Sequence, residues 1–154
     1  MTKLKVGNIA PDFEAKNYLG QTVTLKEFKE KSQPIVLYFY PKDNSPVCTK
    51  ESCEFRDKYQ KFIEAGAEVI GVSSDGEDSH KSFVSKYSLP FTLLTDKHSK
   101  LAKLYGVNGI LLPGRKTFII DKHGIIAGIH DGLLSSTSHI DESLKIIEKL
   151  KSQI

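Results

Sequence analysis

A chain of 154 residues, 39% hydrophobic and 27% charged, has the makeup of one globular domain (1–154) able to bury a real core. Its 22 basic residues stand against 19 acidic ones and are scattered rather than clustered, which argues against a nucleic-acid surface. No apolar run approaches the roughly 18 residues of a membrane span, and residues 1–5 lack the apolar segment of a signal peptide, so the cytoplasm is the expected compartment.

In chain order, residues 6–13 read as irregular or weakly extended. A turn at 19–21 leads into 22–25, where Thr24 is placed to cap a short helix over 25–31. Residues 35–40 are nearly all apolar and β-favouring, as expected of a central strand covered on both faces. A polar loop follows, and Ser45-Pro46 is a helix-start signature: a hydroxyl to cap, then a proline at the first helical position. The helix runs from 46 to about 65, with Cys53, Arg56, Tyr59, Gln60 and Ile63 three and four apart, and Gly66 supplies the stop.

Next come a buried strand at 68–73, a helix at 79–87, a strand at 91–94 and a helix near 101–105 that ends at Gly106. Strands at 116–121 and 125–129, joined through Lys122-His123-Gly124, give the clearest hairpin signal. An amphipathic helix over 140–151 closes the chain, with Ile140, Leu144, Ile147 and Leu150 on one face. This order predicts an α/β fold of the thioredoxin-like kind, a central mixed sheet flanked by helices.

The two cysteines, Cys48 and Cys53, both fall on the helix that opens at Pro46. Cys48 is its third residue, where unpaired N–H groups and the helix dipole favour an anion such as a thiolate. A half-buried cysteine acting as a small hydrophobe is the bland alternative, and the residues alone leave both open. On a continuous helix, positions five apart differ by about 140° around the axis and about 7.5 Å along it, putting their Cα atoms roughly 8–9 Å apart. A disulfide rarely spans more than about 7 Å. If a Cys48–Cys53 bridge forms, at least one helical turn must therefore unwind.

Two other thiol chemistries fit poorly. The C-x-x-C pair of a disulfide reductase is absent. A zinc site usually pairs cysteines two to four residues apart, and His80, His98, His123, His130 and His139 are scattered singly, so each reads as a surface or loop histidine and no metal is expected. Arg56 and Arg115 are the only arginines in a lysine-rich chain, and arginine offers a rigid, always charged fork of donors.

Tyr38-Phe39-Tyr40-Pro41-Lys42-Asp43, Cys48-Thr49-Lys50-Glu51 and Cys53 together resemble the peroxiredoxins, in particular the bacterioferritin-comigratory-protein or PrxQ subfamily. The family motif P-x-x-x-(T/S)-x-x-C is met by Pro41, Ser45 and Cys48. Residues 7–13, 87–96 and 114–121 look like further blocks of the same family. The resemblance implies a peroxidatic role for Cys48 and a resolving role for Cys53. It implies that Pro41 shields the thiolate, that Ser45 hydrogen-bonds the peroxide and the sulfur, and that Arg115 sits over the thiolate and favours it. Glu51 resembles a supporting glutamate near the site, and Arg56 reads as a structural partner for an acidic side chain.

The implied reaction is reduction of hydrogen peroxide and organic hydroperoxides without a cofactor. Cys48 becomes a sulfenic acid, Cys53 closes an intramolecular bridge, and thioredoxin or a similar dithiol reopens it. By the same resemblance the protein is expected to be a monomer. Two departures bear on rate and peroxide preference. Ser45 stands where threonine is commoner, and Val47 where many relatives carry glycine, so that a branched side chain narrows access. A redox sensor using the same bridge as a switch is the rival reading, and catalytic turnover separates the two.

Overall fold

The computed structural model describes residues 4–107, 116–131 and 137–152, with Val47 and residues 137–139 described by their backbone alone. Its sheet is built around β3 (Ile35–Phe39), all five residues of which are buried. β4 (Glu68–Ser73) and β5 (Thr92–Thr95) run parallel to it on one side, reached through the helical crossovers α2 (Pro46–Glu64) and α3 (Glu77–Tyr87). On the other side β6 (Lys116–Ile120) and β7 (Ile126–Asp131) add antiparallel, as a hairpin. β1 (Glu14–Asn17) and β2 (Thr22–Thr24) complete the far edge, and the seven strands lie in the order β2-β1-β5-β4-β3-β6-β7. The sheet is mixed and flanked by helices, the thioredoxin-like arrangement that the order of elements predicts.

Alternation along β3 feeds two cores. Ile35, Leu37 and Phe39 pack with Leu25 of α1 (Leu25–Glu30), Leu101 of α4 (Lys100–Leu104), Tyr105 and Phe118. Val36, Tyr38 and Tyr40 face the other way, into Phe55 and Phe62 of α2, Phe83 of α3, and Ile140 and Ile147 of α5 (Thr137–Ser152). Tyr38 can lie flat across the neighbouring strand because position 71 is glycine: a Cβ there would sit 2.7 Å from the Tyr38 hydroxyl. The site is built on this second face.

Local signals place several boundaries well. β4 spans 68–73 as read, and α2 ends at Glu64 with Ala65 as its C-cap, ahead of Gly66, whose φ of +88° suits a residue without a Cβ. Thr24 caps α1 in a full capping box with Glu27. α3 starts at Glu77, two residues before the expected 79.

The sequence reading missed β1, whose residues Glu14, Ala15 and Lys16 are not buried, so hydrogen bonding to β2 and β5 rather than an apolar pattern defines it. The line of Cys53, Arg56, Tyr59, Gln60 and Ile63 that marks α2 as a helix is not the one that packs. The helix buries Cys48, Glu51, Ser52, Phe55 and Phe62, whereas Ile63 is 37% exposed. In α5, Ile140 and Ile147 are buried and Leu144 and Leu150 pack at the margin, as the period implies.

Candidate active site

The loop from Pro41 to Ser45 carries the chain from the end of β3 into α2. Asn44 turns it in the left-handed region, at a φ of 64°. Ser45 is the N-cap residue by its backbone, with its carbonyl accepting the Thr49 N–H at 2.8 Å. Its hydroxyl does not cap the helix, contrary to the reading from Ser45-Pro46. It donates instead to the Lys42 carbonyl at 3.0 Å and so braces the loop. Pro46 at the first helical position fits as expected, since that N–H has no helical partner to lose.

Cys48 follows as the third helical residue and is fully buried, in the cluster that holds Tyr38, Tyr40 and Phe55. Cys53 lies farther along the same unbroken helix and is half-buried, and both cysteines are thiols. Burial pushes the Cys53 thiol up from its ordinary range, against the pull of the Arg56 guanidinium and with a smaller push from Asp57. Between the cysteines, Ser52 Oγ lies 2.9 Å from the Tyr38 hydroxyl, and Glu51 is fully buried one turn beyond Cys48. Tyr38 itself stacks on Phe55, with ring centroids 4.6 Å apart.

Ser45 and Cys48 thus lie at the N-terminal end of α2, Pro41 stands at the start of the loop that leads into it, and Cys53 is held apart from Cys48 by helix geometry. Arg115 lies outside the described residues, as does the Val47 side chain. Arg56 takes the structural part expected of it: Nε donates to Asp57 Oδ1 at 3.0 Å, and Nη1 to the Tyr87 carbonyl at 2.8 Å.

The loop's firmest fastening is a residue the sequence reading did not place in the site. The Asp43 carboxylate, 3% exposed, accepts from the Tyr40 hydroxyl at 2.6 Å and from Ser79 Oγ at 2.8 Å, and meets His80 Nδ1 at 2.7 Å. Its backbone N–H donates to Asp75 Oδ2 at 2.8 Å, and Ser73 Oγ donates to the same oxygen. Burial holds the Tyr40 hydroxyl well above its ordinary range, so it stays protonated and donates. His80 is fully buried, which corrects its reading as a surface or loop histidine. Its Nε2 faces the Leu94 carbonyl at 3.0 Å. A carbonyl only accepts, so Nε2 carries a proton, and the contact to Asp43 requires a second proton on either the ring or the carboxyl. The period held a clue, because His80, Phe83, Val84 and Tyr87 fall three and four apart and the line they share faces the core.

Known proteins resemble the chain over most of its length. Residues 6–129 match the model of the AhpC/TSA family. The chain is 47% identical to the chloroplastic peroxiredoxin Q of Sedum lineare, over 97% of this chain and 81% of that one. It is 50% identical to the chloroplastic peroxiredoxin Q of Arabidopsis thaliana, over 95% and 68%. Among solved structures, the peroxidoxin BcpB of Mycobacterium tuberculosis superposes with a TM-score of 0.88 at 31% identity, covering 95% of this chain and 97% of that one. A peroxiredoxin Q of Xanthomonas campestris superposes with a TM-score of 0.83 at 26% identity, covering 90% and 91%.

Proposed function

The chain belongs to the AhpC/TSA family and, within it, to the peroxiredoxin Q group, and on that premise we propose a cycle for its two cysteines. It is a thiol-dependent peroxidase. In the cycle, the Cys48 thiolate attacks the O–O bond of hydrogen peroxide or an organic hydroperoxide. One oxygen passes to sulfur as a sulfenic acid, and the other leaves as water or an alcohol. Amides of the first turn of α2, with Arg115, stabilise the departing oxygen, and the Pro41–Ser45 loop walls the pocket. The start of α2 then unwinds and the Cys53 thiol attacks the sulfenic sulfur. A disulfide forms and water leaves. A dithiol of the thioredoxin type returns both thiols through a mixed disulfide.

One observation carries this reading: two thiols share one helix, with Cys48 in its first turn behind a braced loop and Cys53 beyond bridging distance until that helix opens. Because the bridge lies within one chain, a monomer suffices. A thiol pair that must be reduced in every cycle suits the cytoplasm.

Turnover tests the enzyme against the sensor. With thioredoxin, its reductase and excess hydrogen peroxide, the protein should consume many equivalents of peroxide per chain at a constant rate. Consumption that stops at one equivalent under those conditions would favour the sensor.

A further inference from the structure

Bridging Cys48 to Cys53 opens the start of α2, and the surrounding contacts decide how far the opening runs. Upstream, Asp43 is held by Ser79 Oγ at 2.8 Å and His80 Nδ1 at 2.7 Å, both in the early part of α3. Downstream, Arg56 donates to the carbonyl of Tyr87, the last residue of that same helix, at 2.8 Å. Beside Arg56, Phe55 is fully buried against Tyr38 and anchors α2 to the sheet. Between these points the segment is held by the hydrogen bond of Ser52 to Tyr38 and by the burial of Cys48, Glu51 and Ser52, all of which the bridge must disturb. The bond of the Arg56 guanidinium, the bonded Asp43 and a buried aromatic ring fix the two ends against further opening.

We propose that α3 is a two-ended strut for the redox segment, its early part gripping Asp43 and its last carbonyl gripping Arg56, so that the unwinding which joins Cys53 to Cys48 is confined to residues 44–54. The proposal rests on the peroxidase reading for the roles of the two cysteines. Ser79, His80 and Arg56 are positioning residues, acting through the segment whose ends they hold. They set the balance between the helical form, which meets peroxide, and the open form, in which the Cys53 thiol displaces water from the Cys48 sulfenic acid. Fixed ends also return the segment to helix when the bridge is reduced.

The test combines hydrogen exchange with rapid-quench kinetics on the full chain, in wild type, Arg56→Met and Ser79→Ala. Arg56 is partly exposed and methionine keeps the length of its stem, so the first variant folds, and Ser79→Ala removes one bond at the other end. In the reduced state, amide exchange over 44–54 should quicken by about tenfold in Arg56→Met, the scale of one lost charge-assisted bond, and by less in Ser79→Ala. Exchange over β4 and β5 should not change. After oxidation, bridge formation should speed up by a similar factor, while the second-order reaction with peroxide stays within about twofold. In oxidised wild type, lost protection should lie between Asp43 and Arg56. Unchanged exchange over 44–54, an equal rise throughout the molecule, or lost protection running through α3 would each overturn the strut. If wild type forms no bridge with peroxide, the peroxidase reading fails, and reduced-state exchange still decides the strut.

Discussion

Cys48→Ser is expected to abolish peroxide consumption, a loss on the order of 10⁴-fold or more, because it removes the thiol proposed to attack the peroxide. A serine hydroxyl is not ionised near neutral pH, and oxygen is a poor attacker of an O–O bond compared with a thiolate. Cys53 cannot take over. It sits about 140° around α2 from Cys48, and burial keeps it in the thiol form while the helix is intact. The substitution places a hydroxyl in a fully buried position, at a cost of about 1–3 kcal/mol. That is small beside the 5–15 kcal/mol, roughly, of a typical domain. A peroxide assay run beside a thermal melt checks both parts: a folded protein with no activity is the expected pair. Retained consumption in a folded Cys48→Ser protein would move the chemistry elsewhere.

Cys53→Ser should separate the two halves of the cycle. The first equivalent of peroxide should disappear at the wild-type rate, since Cys53 lies about 140° around and about 7.5 Å along α2 from Cys48. Turnover supported by a thioredoxin-type dithiol should then stop, and Cys48 should advance to the sulfinic acid when peroxide is in excess. Mass spectra should show one added oxygen and then two. Sustained turnover by thioredoxin in this variant would remove Cys53 from the resolving role.

The wild-type resolving step also carries a pH signature. Within the helix, desolvation holds the Cys53 thiol above its ordinary range, so little thiolate is present. Unwinding removes that desolvation, and the thiol returns toward a value of about 8.5. Bridge formation should therefore accelerate as pH rises toward that value and level off above it, as rapid-quench measurements would show.

Much of this arrangement is written in short stretches of sequence. Ser45-Pro46 sets the start of α2 and hence the third-residue position of Cys48, and the five-residue step to Cys53 sets the need to unwind. The all-apolar run of β3 and the glycine after α2 are equally local. What escaped depends on partners distant in sequence or on competing local choices. Asp43 and His80 are 37 residues apart, and a lone histidine gives no hint of a carboxylate partner until β4 and α3 bring the two together. On α2 the spacing of Cys53, Arg56 and Ile63 is as helical as that of Cys48, Ser52, Phe55 and Phe62. The aromatic pair on the second line decides which face packs. Ser45 shows the competition in one side chain. Its hydroxyl had a helix to cap, but the loop returns the Lys42 carbonyl to within 3.0 Å, and the bond forms there.

On the proposed cycle, one chain carries both thiol steps on a single helix. Adding one equivalent of hydrogen peroxide to the fully reduced protein, quenching, and mapping the peptides by mass spectrometry tests it most directly. Rapid loss of both thiols and a bridge joining Cys48 to Cys53 within one chain are expected. Thiols that survive the peroxide, or a bridge that joins two chains, would contradict that cycle.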